Sequence, residues 1–111
     1  MEKLIGKINS IRLGYGGYQD AQFGLSVDLT SSKEAWGVND FKGFWSTDMN
    51  SKDCKWTEED RDSSFAETMR LINKLLRESK KQSLNQLKGT PVEVTFDGTA
   101  LKSWRILTEV I

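Results

Sequence analysis

Histidine is absent from this chain of 111 residues, and cysteine and proline occur once each. Without histidine the protein lacks the usual general base at neutral pH, the commonest metal ligand, and the Ser-His and Cys-His nucleophile pairs. The single cysteine, Cys54, excludes an intrachain disulfide and a four-cysteine zinc site. The Gly-Lys-Ser/Thr sequence of a phosphate-binding loop is also missing. We therefore expect no catalytic site, no metal site and no cofactor.

Carboxylate or metal-assisted chemistry stays open, because the chain contains the acids Asp20, Asp28, Asp40 and Asp97. Nothing in their spacing requires two of them to meet, as paired acid and base catalysis would need. Solubility and turn chemistry explain each acid at least as well.

An excess of charge of either sign is absent too, since 16 basic residues balance 16 acidic ones. A neutral chain produces no long-range field that would attract nucleic acid or anionic lipid, so neither is an expected partner. No uninterrupted apolar run is long enough for a membrane span, and the residues after Met1 alternate as in a strand, unlike those of a signal peptide. These features predict a cytoplasmic protein.

Alternation of apolar and polar residues predicts most of the strands. The alternation is strictest over residues 22–29, which indicates a strand with one buried face. In the third predicted strand it slips near Asn39 and Asp40, which predicts a bulge there. Residues 46–55 lack any periodicity and are expected to form an exposed loop. The predicted strands cover residues 3–13, 22–29, 36–45, 92–96 and 101–111.

A long helix is predicted for residues 58–80, and one further helical turn for residues 83–89. Thr57 can cap the first turn of the long helix together with Asp60 three residues later. Apolar residues at helical spacing indicate the face that packs on the sheet. They are Phe65, Met69, Leu71, Ile72, Leu75 and Leu76.

The predicted elements follow the order β-β-β-α-β-β. The short connections between consecutive strands, including the hairpin signal Asp97-Gly98, favour antiparallel pairing because parallel pairs need longer crossovers. The length suits one hydrophobic core, so we predict a single domain over residues 1–111. The predicted fold class is α+β, with a five-stranded, mainly antiparallel sheet and one long helix packed on one face.

A stretch rich in glycine and tyrosine, Gly14-Tyr-Gly-Gly-Tyr-Gln-Asp20, joins the first two predicted strands. Glycine lets another backbone or a ligand approach closely, so the stretch predicts either a tight turn or the wall of a binding site. Arg105 projects from a predicted strand, where it can bind phosphate or equally well pair with an acid across the sheet. The predicted ligand-binding residues are Tyr15, Gly16, Gly17, Tyr18, Asp20, Trp36, Asn39, Trp45, Arg70 and Arg105.

The chain resembles a group of short proteins encoded by phages and prophages in five stretches: Gly14 to Ala21, Trp36-Gly-Val38, Phe41-Lys-Gly-Phe-Trp45, Lys55-Trp-Thr-Glu-Glu-Asp-Arg61 and Ser103-Trp-Arg-Ile-Leu-Thr-Glu109. The resemblance extends over most of the chain and brings no catalytic motif with it. It implies a setting, the cytoplasm of a host cell. Small phage proteins of this size often act against host defence, as anti-Thoeris and anti-CBASS sponges do by sequestering a nucleotide signal.

The hypothesis that follows is a protein that binds a small nucleotide-derived immune signal without cleaving it. Tyrosine and tryptophan rings would stack on bases, and glycine amides or arginine would bind phosphate. The alternative is an inhibitor that binds a host defence protein directly through an aromatic and arginine surface. Single-stranded nucleic acid is a third possibility that the neutral charge disfavours. We also expect a homo-oligomer, because so small a sheet leaves a face or an edge open.

Overall fold

A computed structural model describes residues 1–31, 33, 35–45 and 56–111 of the chain. It has an α+β fold with a five-stranded antiparallel sheet and one helix packed against it, as the sequence predicts. The loop predicted for residues 46–55 lies outside the described residues. The elements are β1 Glu2–Gly16, β2 Gln22–Ser31, β3 Gly37–Trp45, α1 Glu58–Ser79, β4 Pro91–Asp97 and β5 Ala100–Ile106.

The first strand organises the sheet, whose strand order is β3-β2-β1-β4-β5. β1 pairs with β4 through residues 2–7 and with β2 through residues 6–16. The N-terminal part of β1 therefore pairs mainly with β4, and the C-terminal part pairs with β2. A register shift at Asn9 separates the two parts of the β1–β2 ladder. Such a bulge bends a strand and increases its twist. The longest strand therefore curves, and the sheet curves with it.

The bulge predicted at Asn39 and Asp40 is wrong. The β2–β3 register runs without a shift from the pair Gln22 and Trp45 to the pair Thr30 and Gly37. The alternation is misleading because Asp40 lies on the side that faces the helix, where an apolar residue would be expected. Its carboxylate has a partner there, which is described below.

Helix α1 begins at the predicted cap. Thr57 Oγ1 accepts a hydrogen bond from the Asp60 amide at 3.1 Å, and the Asp60 carboxylate accepts one from the Thr57 amide at 2.8 Å. The helix ends at Ser79, one residue earlier than predicted, because Lys80 adopts a left-handed conformation with a φ of 59°. Among the described residues, no helix is long and apolar enough to cross a membrane.

The buried face of α1 differs in part from the predicted stripe. Ile72 and Leu75 are buried as expected, whereas Met69 is 57% exposed. Its predicted place in the core is wrong, because Thr68 occupies the buried position beside it. The buried apolar side chains of the sheet and the helix form one cluster with Leu87. Its members are Ile8, Leu25, Val27, Leu29, Ile72, Leu75, Leu87, Val92, Val94, Phe96 and Ile106.

The last predicted strand is too long. β5 stops at Ile106, and Thr108–Val110 form a 3-10 turn where the prediction continued the strand to residue 111. Two shorter elements agree with the sequence. The turn predicted for residues 83–89 contains a 3-10 helix at Leu84–Gln86, and Gly98 has the positive φ of 64° that suits a tight hairpin between β4 and β5.

The two edge strands of the sheet meet. The indole Nε1 of Trp104 in β5 donates a hydrogen bond to Asp40 Oδ2 in β3 at 2.8 Å. Helix α1 lies along this contact, since Ser64 Oγ donates to the Gly43 carbonyl of β3 at 3.3 Å. Leu71 and Leu75 of α1 border the same cavity of about 230 Å³ as Trp104 and Asp40. The sheet is therefore strongly curved, and a side-chain hydrogen bond joins its two edge strands, as in a partly open five-stranded barrel.

Loss of the Trp104–Asp40 hydrogen bond is expected to weaken the contact between the edge strands. A hydrogen bond to a charged group contributes roughly 1.5–3 kcal/mol to stability. We expect Asp40→Ala and Trp104→Phe each to lower the free energy of unfolding. The double variant should lose less than the sum of the two losses, by about 1 kcal/mol or more. Urea unfolding of the four proteins measures this coupling, and strictly additive losses would contradict it.

Candidate functional site

The outer face is defined here as the surface of β1, β2 and β3 that points away from α1. Successive residues of a strand point to opposite sides, so the paired residues of the three strands form rows on this face. Two rows carry most of the polar groups together with Phe41, and the two rows beyond them contain four glycines, Gln22 and Trp45. The rows are Ser10, Asp28 and Asn39; Arg12, Ser26 and Phe41; Gly14, Gly24 and Gly43; and Gly16, Gln22 and Trp45.

The Phe41 ring lies on glycine backbone. A Cβ atom added to Gly16 would come within 2.7 Å of the ring, and one added to Gly43 within 2.8 Å. Side chains at these two positions would therefore displace the ring from the sheet. Phe41 is only partly buried. The result is a flat aromatic surface, open on one side, of the kind on which planar ligand groups stack.

Arg12 supplies positive charge on the same face, in the row that also contains Phe41. Its Nη2 donates to the Tyr15 carbonyl at 2.6 Å, which holds the side chain along β1. Its Nη1 lies 3.0 Å from the position that a Cβ of Gly14 would take. A guanidinium has five N–H donors, so a side chain held by this one hydrogen bond keeps donors for a phosphate or a carboxylate.

Four polar side chains form a connected network beside the aromatic surface. Ser10 Oγ donates to Asp28 Oδ2 at 2.6 Å. Asn39 Nδ2 donates to Asp28 Oδ1 at 2.8 Å and to Ser26 Oγ at 2.9 Å. The hydrogen bonds from Ser10 and Asn39, together with the charge of Arg12, hold the pKa of the Asp28 carboxyl below its ordinary value of 3.8. Asp28 is therefore ionised at neutral pH.

The network borders a shallow depression of about 370 Å³. Gly37 has no side chain to fill the space, and the bulge residue Asn9 of β1 lines the opposite side. The depression is bordered by Asn9, Asp28, Leu29, Thr30, Gly37, Val38 and Asn39. Among the residues that the structure describes, no three His, Cys, Asp or Glu side chains are grouped to hold a metal ion.

The predicted glycine-tyrosine stretch forms both a strand end and a turn. Gly14, Tyr15 and Gly16 belong to β1, and Tyr18–Asp20 form a 3-10 turn that leads into β2. Gly17, Gln19 and Asp20 all have positive φ angles. Tyr18 is 70% exposed. Within the predicted site, this stretch lies at the same end of the sheet as Trp45, because Gln22 pairs with both Gly16 and Trp45.

The aromatic rings at this end are held by neighbours. Trp45 stacks on Trp56, with ring centres 5.8 Å apart and planes 18° from parallel. Trp56 also contacts Phe44, which points to the opposite face of β3, so Trp56 covers the edge of that strand. Tyr15 lies on the helix side of the sheet, where its ring meets Phe23 edge to face at 5.6 Å. Of the predicted aromatic residues, only Trp45 is thus on the outer face.

Besides Tyr15, three more predicted site residues lie away from the outer face. The ring of Trp36 is on the inner side of the sheet, against Phe96 at 5.3 Å. Arg70 is an exposed residue of α1, which covers the face opposite to Asn39 and Trp45. Arg105 is on β5 and forms ion pairs with Glu93 at 3.2 Å and Glu109 at 2.8 Å. The ion pair with Glu93 is the cross-strand alternative that the sequence left open. Hydrogen bonding from Arg105 lowers the pKa of Glu109 to about 2.

Sequence reasoning missed Arg12, Phe41, Ser10 and Ser26 as parts of one surface, and it named Asp28 only as an unassigned acid. The signal that could have found them is register. If the turn at residues 17–21 is taken as the point where β1 reverses into β2, alternation places Arg12 and Ser26 side by side. Extending the ladder to β3 adds Phe41.

Comparisons of the chain with models of known protein families, with curated proteins and with solved structures found no match. The function is therefore inferred from the chemistry of the outer face.

The network around Asp28 predicts a pH-dependent contribution to stability. Because the folded-state pKa is lowered, the contribution is fully present above the ordinary value of 3.8 and is lost as the pH falls through the lower folded-state pKa. Urea unfolding of wild type and Asp28→Asn between about pH 6 and pH 2 measures it. The advantage of the wild type should shrink only below about pH 4. Asp62→Asn, which changes an exposed acid of α1, is the matched control, and an equal pH dependence in both variants would contradict the prediction.

Proposed function

We propose that the protein binds a small nucleotide-derived ligand on its outer face and holds it without cleaving it. The observation that carries this proposal is the Phe41 ring lying on the backbone of Gly16 and Gly43. A nucleotide combines a flat base with an anionic phosphate. The ring offers a stacking surface for the base, Arg12 offers donors for the phosphate, and Asn39 offers a polar group for a base edge or a ribose hydroxyl.

A small ligand fits this face better than a nucleic acid strand does. Partly open five-stranded barrels include the OB-fold, in which the face of strands 2 and 3 binds oligonucleotides. Likeness of architecture is weak support for function, however. Binding of a strand depends on neutralising many phosphates, whereas this chain has a net charge of zero and places Asp28 beside Arg12. One arginine suits a ligand with few phosphates.

Binding without cleavage follows from the same groups. A carboxylate with a lowered pKa is a weak proton acceptor at neutral pH. Asp28 also accepts hydrogen bonds from Ser10 and Asn39, which stabilise its ionised form. The chain offers no histidine that could replace it as a base. A bound nucleotide would therefore be sequestered intact, which is the action of a sponge against a host immune signal in the cytoplasm of an infected cell.

The first test compares two arginine variants. Arg12→Ala removes the charge on the outer face, and Arg70→Ala removes an exposed arginine on the helix side. Loss of a charge-assisted hydrogen bond is expected to weaken binding roughly tenfold or more in Arg12→Ala. Arg70→Ala should bind like the wild type. The measurement is calorimetric titration with mononucleotides and cyclic dinucleotides, with Phe41→Leu as a second variant that removes the stacking ring.

Two further measurements complete this test. Mass spectrometry of the ligand after release by heat should recover it unchanged, and turnover would contradict binding without cleavage. Titration with a single-stranded oligonucleotide at about 50 and 200 mM salt should show weak binding, because few phosphates are neutralised. Equal affinity in Arg12→Ala and Arg70→Ala, or tight salt-dependent binding of the strand alone, would overturn the proposal of a small ligand.

The second candidate function is direct inhibition of a host defence protein. Exposed tyrosines favour it, since Tyr15 is 58% and Tyr18 is 70% exposed at one end of the sheet. Tyrosine is common among the residues that dominate binding energy in protein interfaces. Tyr18→Ala should abolish binding to such a partner and leave nucleotide binding unchanged. A small molecule that stays on the purified protein would favour the first function.

We also propose that two copies of the chain associate through β1. On the side where residues 2–7 pair with β4, the residues after Ile8 have no strand partner within the described chain. Such an edge can pair with its own copy in antiparallel fashion about a two-fold axis. Leu13, which is 43% exposed, would be covered there, and a net charge of zero gives no overall repulsion between the copies.

Light scattering at micromolar concentration should therefore give the mass of a dimer. Leu13→Asp would place two like charges near the two-fold axis and should give a monomer. Met69→Asp is the control, because Met69 is an exposed apolar residue on α1. A monomeric wild type would contradict the association.

A further inference from the structure

We propose that the ligand carries a guanine base and that the Asp28 carboxylate binds its edge. This inference rests on the proposed function and names the ligand class for the same face. The outer face offers a carboxylate held in place by two side chains, at the border of a depression with room for a ligand group. The donor and acceptor pattern of this network selects among bases.

The network presents hydrogen-bond acceptors to a ligand. Both N–H groups of the Asn39 amide are used, one by Ser26 and one by Asp28, so its Oδ1 is left to accept. Each carboxylate oxygen of Asp28 accepts one hydrogen bond within the network, and a carboxylate has about four acceptor positions in all. A ligand group that contacts Asp28 or the Asn39 Oδ1 must therefore offer N–H or O–H donors, whereas the Ser26 hydroxyl, which accepts from Asn39, can still donate.

Guanine is the base whose Watson–Crick edge has two neighbouring donors, the N1–H group and the 2-amino group. A carboxylate can accept from both at once, as it does from an arginine fork. Adenine and cytosine each place a ring nitrogen acceptor next to their amino group, and this acceptor would face the negative charge of Asp28. Uracil has one N–H group flanked by two carbonyl oxygens. The acceptor-rich network thus favours guanine over the other three bases.

Charge sets the orientation of the ligand. Asp28 repels a phosphate, whereas Arg12 attracts one, and the two side chains are close enough for the Arg12 charge to act on Asp28. The phosphate is thereby directed toward Arg12 and the base edge toward Asp28. Asp28 lies one row away from the pair of Ser26 and Phe41, which is about 7 Å along the strand. The Phe41 ring itself extends away from Asp28, toward Gly43 and Gly16, so the base edge and the stacking surface are neighbouring parts of the outer face.

The test measures the Kd values of GMP, IMP, AMP, CMP and UMP with the wild-type protein. IMP lacks only the 2-amino group of GMP, so the pair isolates one donor. We expect GMP to bind roughly 10- to 100-fold more tightly than IMP and than the other three nucleotides. This comparison needs no variant and does not depend on how a substitution affects folding.

A variant then assigns the preference to Asp28. Asp28→Asn replaces one carboxylate oxygen by an N–H donor, so it should lose most of the affinity for GMP. It should instead prefer XMP, whose base has a carbonyl oxygen in place of the 2-amino group. Asp62→Asn, the same change on the exposed side of α1, should keep the preference for GMP.

The outcomes separate this inference from the function on which it rests. If the wild type binds all five nucleotides equally, or if Asp28→Asn keeps the preference for GMP, guanine recognition by Asp28 is overturned and nucleotide binding stands. If the wild type binds none of the five at millimolar concentration, both proposals fail.

Discussion

The structure depends on the meeting of β3 and β5, the two edges of a five-stranded sheet. In a flat sheet these strands would be four strand spacings apart, roughly 19 Å, and no Trp–Asp hydrogen bond could join them. The contact between Trp104 and Asp40 therefore requires strong curvature. Because α1 occupies the concave side, only the convex side of β1, β2 and β3 remains uncovered by the helix. A ligand site built on this sheet has to use the residues that point outward.

Close packing of the curved strands explains some of the glycines, so those glycines are not evidence for a binding site. A Cβ on Gly24 would collide with the Lys42 carbonyl oxygen and with the backbone of Gly43, so close approach of β2 and β3 accounts for these two residues. Gly16 is different, because the atoms that a Cβ would meet there belong to the Phe41 side chain. The position of the Phe41 ring on the sheet thus depends on Gly16, where strand geometry alone does not require a glycine.

The sequence predicts the elements whose causes are local. The reciprocal cap of Thr57 and Asp60 begins α1, and the alternation over residues 22–29 predicts β2, because each signal is complete within a few residues. Prediction from the sequence fails where a residue is satisfied by a partner that is distant along the chain. Asp40 breaks the apolar pattern and suggests a bulge, yet Trp104, 64 residues later, satisfies it. The actual bulge at Asn9 leaves a phase slip of its own, two consecutive polar residues between Ile8 and Ile11, which the sequence prediction missed.

The candidate site was only partly predictable for the same reason, but the turn beside it adds an argument of its own. Arg12, Ser26 and Phe41 meet through strand register, which a single sequence specifies weakly. In the adjoining turn, Gln19 and Asp20 have φ angles of 52° and 55°, a conformation that disfavours residues with a Cβ by roughly 1–2 kcal/mol. Glycine would form this turn at lower free energy, as it does at Gly17. Side chains that adopt this conformation at a free-energy cost, at the rim of an uncovered face, are a reason to include the turn in the proposed binding surface.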